Sequence, residues 1–333
     1  MSSSSVPEHG APGGAEPVPH LDVEEIEQAE EIEQQPAEQA LGVRSAGKRG
    51  GGLVTLLWAL PGFIWLGFFL IAPLVFIVLV SFWQRTDFGF VKTFTTSNYG
   101  TLFHDSTYWH NMLSSFETSL IAVAACLVFG FPVAYFLAMK VQKLQYQIGL
   151  FLLVLAPFWT SFLTRSIAWT YPLMGNSGAF NQLLTKMGIS SINNPLIDTS
   201  FTILSVRLAM IQLYILFMIT PIFFLLSQVD RHALEAARDL GANWVRTFRE
   251  VIVPQTMPGI VIGSIFIFVL TMGEYGTVQV IGGNTVQSVG TIVQSDINAI
   301  QYPQGAASAV VLVVALIVGV FVITRFANLR EEI

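Results

Sequence analysis

Residues 208–227, LAMIQLYILFMITPIFFLLS, decide the fold class of this chain. They contain no charged side chain. A helix of this length, rising about 1.5 Å per residue, crosses the roughly 30 Å hydrocarbon core of a bilayer. The stretch therefore predicts a membrane-spanning helix.

The rest of the chain has the same character, with 53% hydrophobic residues, 11% charged residues and a mean hydropathy of +0.61. No apolar stretch shows the alternating polarity of a membrane β-barrel. We therefore predict an all-α integral membrane protein with six spans. The predicted spans are about 53–83, 112–139, 148–169, 203–227, 258–281 and 306–326.

Basic residues near the ends of spans indicate orientation, because Lys and Arg concentrate in cytoplasmic loops. With both termini inside, 11 of the 16 basic residues are cytoplasmic. Residues 1–50 form a separate segment, acidic and rich in Pro, Gly and Ser, which we expect to be a disordered cytoplasmic tail. Residues 51–330 are predicted to form the membrane domain of a multi-pass bacterial plasma (inner) membrane protein.

The segment between the fourth and fifth spans, residues 230–254, has the sequence DRHALEAARDLGANWVRTFREVIVP. Asp230 is suited to begin a helix, and Gly241 to end it with a left-handed residue. Asn243 is suited to cap a second short helix running toward Pro254. The sequence predicts two short helices joined at a glycine, exposed at the cytoplasmic face.

This segment resembles the cytoplasmic loop of permeases of binding-protein-dependent ABC importers, which carries E-A-A, three residues, G, nine residues and I-x-L-P. The matching positions here are Glu235, Ala236, Ala237, Gly241, Val251, Val253 and Pro254. Valine replaces both aliphatic residues of the pattern. Further segments resemble the spermidine/putrescine permeases: 157–160, 178–188, 257–259, 282–283, Gly290 and Ile292.

The resemblance implies a type I ABC importer transmembrane domain whose coupling helix contacts an ATPase subunit through Glu235, Ala236, Ala237, Gly241 and Pro254. It implies a complex of a second permease subunit, two ATP-binding subunits and an extracytoplasmic solute-binding protein, in contact with membrane lipid and without nucleic acid. No cofactor is expected on this chain. The G-x-x-x-x-G-K string at 42–48 lacks the following Ser or Thr of a phosphate loop, so ATP and magnesium are expected on the partner.

The predicted cargo is a polyamine, spermidine or putrescine, or a related organic cation. Glu274 is a candidate for the substrate pathway because a charge within a membrane span is costly. Tyr275 would add an aromatic face for a cation. The alternative is a structural hydrogen bond from Glu274, since 273–276 also resembles a string in sulfate and molybdate permeases. Trp169 is either a pathway residue or an interfacial anchor.

Other cargoes remain open at this point, namely thiamine, ferric iron, phosphonate or an oxyanion. An ion-coupled secondary transporter is a rival class, but it does not explain the pattern at 235–254. An intramembrane enzyme would need catalytic groups that converge at membrane depth. The five histidines all lie outside the predicted spans. We therefore expect a transport subunit and no enzymatic activity of its own.

Overall fold

The computed structural model describes residues 51–86, 89–141, 143–173, 175, 178–189, 201–229, 234–235, 237 and 239–331. The predicted tail, the cap at Asp230 and the motif residue Ala236 lie outside the described residues. The chain divides after Phe68 into two units. The first contributes helix α1, Gly51–Leu66, whose side chains from Trp58 onward are mostly exposed.

Among its described residues, the second unit consists of helices and one antiparallel hairpin with their connecting segments; in the hairpin β1 (Trp83–Thr86) pairs with β2 (Gly89–Phe94). Its α-helices in the described part are α2 Ala72–Ser81, α3 Ser97–His104, α4 Ser106–Tyr135, α5 Leu144–Leu155, α6 Phe162–Thr170, α7 Ala179–Lys186, α8 Ile203–Ser227, α9 Trp244–Thr247, α10 Val253–Met272, α11 Val289–Asn298 and α12 Tyr302–Glu331. π-helical turns cover Gly67–Ile71, Phe136–Lys140, Phe248–Ile252 and Val278–Gly282.

Five helices of the described residues are long and apolar enough to cross a membrane. They are Trp58–Ser81, Ser106–Lys140, Ile203–Ser227, Trp244–Met272 and Tyr302–Arg325. A sixth span results if the bent pair Leu144–Trp159 and Phe162–Thr170 is counted as one. The predicted helical membrane fold is confirmed, and the β1–β2 hairpin is an addition to it.

The third span, predicted as one helix over 148–169, bends by 84° between Trp159 and Phe162. A 3₁₀ turn, Ala156–Trp159, follows α5, and Pro157 within it cannot donate the next helical hydrogen bond. Thr160 then takes an extended conformation, and its N–H and hydroxyl both donate to the Pro157 carbonyl, at 3.2 and 2.7 Å. The predicted third span is therefore divided by a sharp bend just after Pro157.

The fifth span also differs from the predicted 258–281. Its helix begins at Trp244 and ends at Met272, so the predicted second short helix is the first part of the span itself. The π turn Phe248–Ile252 directly precedes Pro254, which has no N–H to continue α-helical bonding. After Met272 the chain breaks, and helical structure resumes at Gly276.

Helix α8 is the centre of the second unit and packs against α4 and α10. Two glycines spaced four apart on α10 allow a close approach of the two backbones. A Cβ at Gly259 would lie 2.9 Å from the Pro221 carbonyl oxygen, and one at Gly263 would lie 3.0 Å from that of Phe217. Small residues at this spacing let membrane helices pack backbone to backbone, as here.

We expect Gly263→Val to destabilise the protein by about 1–3 kcal/mol, because the added methyl groups overlap α8. Gly149→Val on α5 is the matched control, since a Cβ there meets nothing within 4 Å. Thermal unfolding of both detergent-solubilised variants, followed by size-exclusion chromatography after heating, measures the difference. Equal melting temperatures for the two variants would contradict the packing described.

Candidate functional site

The segment carrying the E-A-A pattern ends in a glycine cap. Leu234, Glu235 and Ala237 are helical, and Gly241 follows with φ +79°. The Ala242 N–H donates to the Ala237 carbonyl at 2.9 Å, the bond that closes a Schellman motif around a left-handed residue. The predicted turn at Gly241 is confirmed.

Asn243 begins the next helix as predicted, since its side chain accepts the Arg246 N–H at 2.8 Å. Behind it, Phe248 packs edge to face on Phe131 of α4, with ring centroids 5.3 Å apart. Ile252, one turn on, is buried. These contacts attach the segment to the membrane helices.

The opposite side of the segment is apolar and open. Leu240 is 87% exposed, Trp244 61% and Val245 58%. Of the apolar residues in this segment, Val245 is therefore exposed, whereas Phe248 and Ile252 face the protein. We call Leu240, Trp244 and Val245 the exposed apolar patch.

The second candidate region is the break after α10. The Glu274 carboxylate is partly buried and accepts two hydrogen bonds there. The Tyr214 hydroxyl of α8 donates to Oε2 at 2.6 Å, and the Thr277 N–H donates to Oε1 at 2.7 Å. The carboxylate thus caps the helical segment that resumes after the break, which favours the hydrogen-bonding role considered for Glu274.

Residues at the start of α11 also contact the backbone at the break. The Ser288 hydroxyl donates to the Glu274 carbonyl at 2.8 Å. Gly290, at the start of α11, comes so close that a Cβ there would lie 2.6 Å from the Gly273 carbonyl oxygen. The break is therefore a defined structure and a fixed support for the carboxylate.

Tyr275 is half exposed beside this carboxylate. The indole N–H of Trp169 donates to Gln212 at 2.8 Å, and its ring stacks on Phe180 at 6.0 Å. Within the described residues, no hydrogen bond or ring contact joins Trp169 to Glu274 or Tyr275.

Sequence reasoning missed two residues near Glu274. One is Tyr214, which lies in the uncharged span 208–227. Its hydroxyl, a polar group within an apolar stretch, is the feature that could have identified it. The other residue is Arg165, on α6. Its guanidinium carbon lies 5.2 Å from the Phe158 ring centroid, and its Nε and Nη1 are buried without a hydrogen-bond partner among the described residues.

An aromatic surface continues from this cluster. Phe158 packs edge to face on Phe217, at 5.4 Å between centroids, and Phe217 stacks on Phe266 at 5.9 Å. These rings line an apolar groove between α5, α8 and α10. In the part of the chain that the structure describes, no group of His, Cys, Asp and Glu side chains is placed to hold a metal ion.

No protein-family model matches the chain. Over 270 residues it is 34% identical to the spermidine/putrescine transport system permease protein PotB of Salmonella typhimurium, covering 80% of this chain and 92% of that protein. PotB of Escherichia coli is 35% identical over 270 residues, with coverage of 80% and 96%.

The fold has a solved counterpart in the crystal structure of a bacterial ABC transporter involved in the import of the acidic polysaccharide alginate. The TM-score is 0.59 at 17% sequence identity, with 82% of this chain and 95% of that chain covered. This likeness confirms the predicted ABC importer permease fold. The chain is a multi-pass membrane protein and belongs to the family of transport-system permeases that includes PotB.

Proposed function

We propose that this chain forms part of the translocation pathway of an ABC importer for a polyamine or a related organic cation. The identity to PotB over most of both chains supports the transport role. The observation that carries the cargo assignment is the Glu274 carboxylate, held at a break between helices and adjoining an aromatic surface. Anionic oxygens and aromatic faces are the groups that bind ammonium ions.

The chain would act within a complex of a second permease subunit, two ATP-binding subunits and an extracytoplasmic solute-binding protein. The bacterial inner membrane would be its location, with both termini cytoplasmic. ATP and magnesium would bind the ATPase subunits, and this chain would carry no cofactor and catalyse no reaction. The alginate transporter, solved in complex with its ligand-bound periplasmic protein, supports such an arrangement through its shared fold.

The segment 234–254 would contact an ATPase subunit through the exposed apolar patch. Three apolar side chains of 58–87% exposure at a helix turn are suited to a groove of a partner protein. The cap at Gly241 would fix the angle at which Glu235 and Ala237 meet that partner. On the other side, Phe248 and Ile252 would pass the partner's movement to the membrane helices.

The route from this contact to the cargo site is a single helix. Residues Trp244–Met272 are continuous, about 40 Å at 1.5 Å per residue, and end one residue before the break that holds Glu274. A stiff helix transmits displacement along its length. Closure of the ATPase subunits would therefore move the break and change which side of the membrane the carboxylate faces, as alternating access requires.

Glu274 retains capacity for a cation. A carboxylate offers about four lone-pair sites, and two hydrogen bonds to Glu274 are formed within the described residues. Both donors are neutral, and no described Lys or Arg lies within salt-bridge distance of this carboxylate. An ammonium group would supply the opposite charge.

Gly241→Val is expected to lower cargo-stimulated ATP hydrolysis of the reconstituted complex about tenfold. A β-branched residue at φ +79° costs about 1–2 kcal/mol, which displaces the cap. The matched control is Gly188→Val, since Gly188 also has a positive φ (+74°) and open space around its Cα. Stimulated hydrolysis that falls equally in both variants would contradict the coupling role.

Glu274→Gln is expected to lower spermidine uptake by proteoliposomes at least tenfold, because a charge-assisted hydrogen bond is worth about 1.5–3 kcal/mol. The glutamine oxygen still accepts one of the two hydrogen bonds, so the break is retained. Glu117→Gln is the control, a carboxylate paired with Arg207 at 2.9 Å in another part of the bundle.

Uptake is compared over spermidine, putrescine, thiamine, a phosphonate, ferric iron and sulfate. Uptake of polyamines alone supports the cargo assignment. Uptake of an anion with no response to polyamines contradicts it, and so does full spermidine uptake by Glu274→Gln.

A further inference from the structure

The proposed transport function does not explain why the guanidinium of Arg165 lies where it does. It lies over the Phe158 ring at 5.2 Å, and its Nε and Nη1 are buried without hydrogen-bond partners in the described part of the chain. A buried arginine usually donates to a carboxylate, often through two parallel bonds. Here no described Asp or Glu lies within salt-bridge distance of it.

Two paths of contacts lead from Arg165 to the Glu274 carboxylate. The Phe158 ring beneath the guanidinium packs on Phe217, which lies against Tyr214 at 6.3 Å between ring centroids. The Tyr214 hydroxyl donates to Glu274 Oε2. The neighbouring Ser166 hydroxyl lies 3.3 Å from the Thr277 hydroxyl, and the Thr277 N–H donates to Oε1. The unpaired cation and the partly buried anion therefore belong to one cluster, separated by Tyr214.

We propose that Arg165 is a tethered cation that weakens binding of a cationic cargo at Glu274 and so sets the rate at which the cargo leaves. The proposal rests on the polyamine function above. A carrier must bind its cargo strongly enough to take it up and weakly enough to release it. Glu274 together with the aromatic surface would favour binding, and a fixed positive charge beside them opposes it.

The position of Arg165 suits this role. Its nearest ring, Phe158, opens onto the groove lined by Phe217 and Phe266, so an ammonium group on this surface would approach a like charge. Screening is weak at partly buried positions, so the repulsion persists at physiological salt.

The test is binding and transport of spermidine by the complete transporter complex in lipid nanodiscs and proteoliposomes. Radiolabelled spermidine is titrated onto the complex without the solute-binding protein, and uptake turnover is measured with it. Arg165→Ala is expected to bind spermidine three- to tenfold more tightly and to turn over more slowly. Arg165→Lys keeps the charge and is expected to stay near the parent protein in both measurements.

Two controls separate this effect from others. Lys186→Ala removes an exposed positive charge at the end of α7, so it tests for a general effect of net charge and should change neither measurement. Arg165→Ala combined with Glu274→Gln should bind no more tightly than Glu274→Gln alone. Assembly of each complex is checked by size-exclusion chromatography before the titration.

Weaker or unchanged spermidine binding by Arg165→Ala, with normal assembly, overturns the proposal. A lysine variant that behaves like alanine also overturns it, because charge would then not be the cause. If the parent complex neither binds nor transports spermidine, the polyamine function is wrong and the inference about Arg165 is wrong with it.

Discussion

A helix that breaks at membrane depth leaves backbone N–H and C=O groups where no water can bind them. The helices of two predicted spans break near Thr160 and at Glu274, and side chains supply hydrogen bonds to the backbone at both places. The Glu274 carboxylate accepts the Thr277 N–H, and the Thr160 hydroxyl donates to the Pro157 carbonyl. The shape of the region around Glu274 depends on these side-chain hydrogen bonds, because they allow α6 and the segment after α10 to meet beside α8.

The glycine contacts between α8 and α10 help to explain how the helix cap at Gly241 is connected to the Glu274 carboxylate. Gly259 and Gly263 place α10 directly on α8, the helix that carries Tyr214. The same α10 continues the helix that begins at Trp244. Movement of the exposed apolar patch would therefore reach Glu274 along α10, while Tyr214 keeps the carboxylate attached to α8.

The sequence predicted the features that depend on local composition. The length of the apolar stretches predicted the spans. A glycine placed where a helix must end predicted the positive φ at Gly241. The 84° bend after Trp159 was not predicted, because Pro157 is also compatible with a modest kink. The extended conformation of Thr160 and the packing of α6 decide between the two.

At the candidate site, the charge of Glu274 was evident because it stands alone in an apolar stretch. Its partner Tyr214 is 60 positions away, and a contact across two helices depends on tertiary packing that periodicity does not contain. The contact of Arg165 with the Phe158 ring depends on tertiary packing in the same way. The long loop's second helix was predicted to stop at Pro254, whereas the π turn before this proline lets the helix continue.

Nucleotide-driven movement of the ATPase subunits should reach the break at Glu274. The labelling rate of Tyr275→Cys with a membrane-impermeant maleimide in the assembled complex measures this movement. Cys126, the one native cysteine, is buried, so background labelling is low. The labelling rate should change several-fold when ATP and vanadate trap the complex. Equal rates in the nucleotide-free and trapped complexes would contradict it.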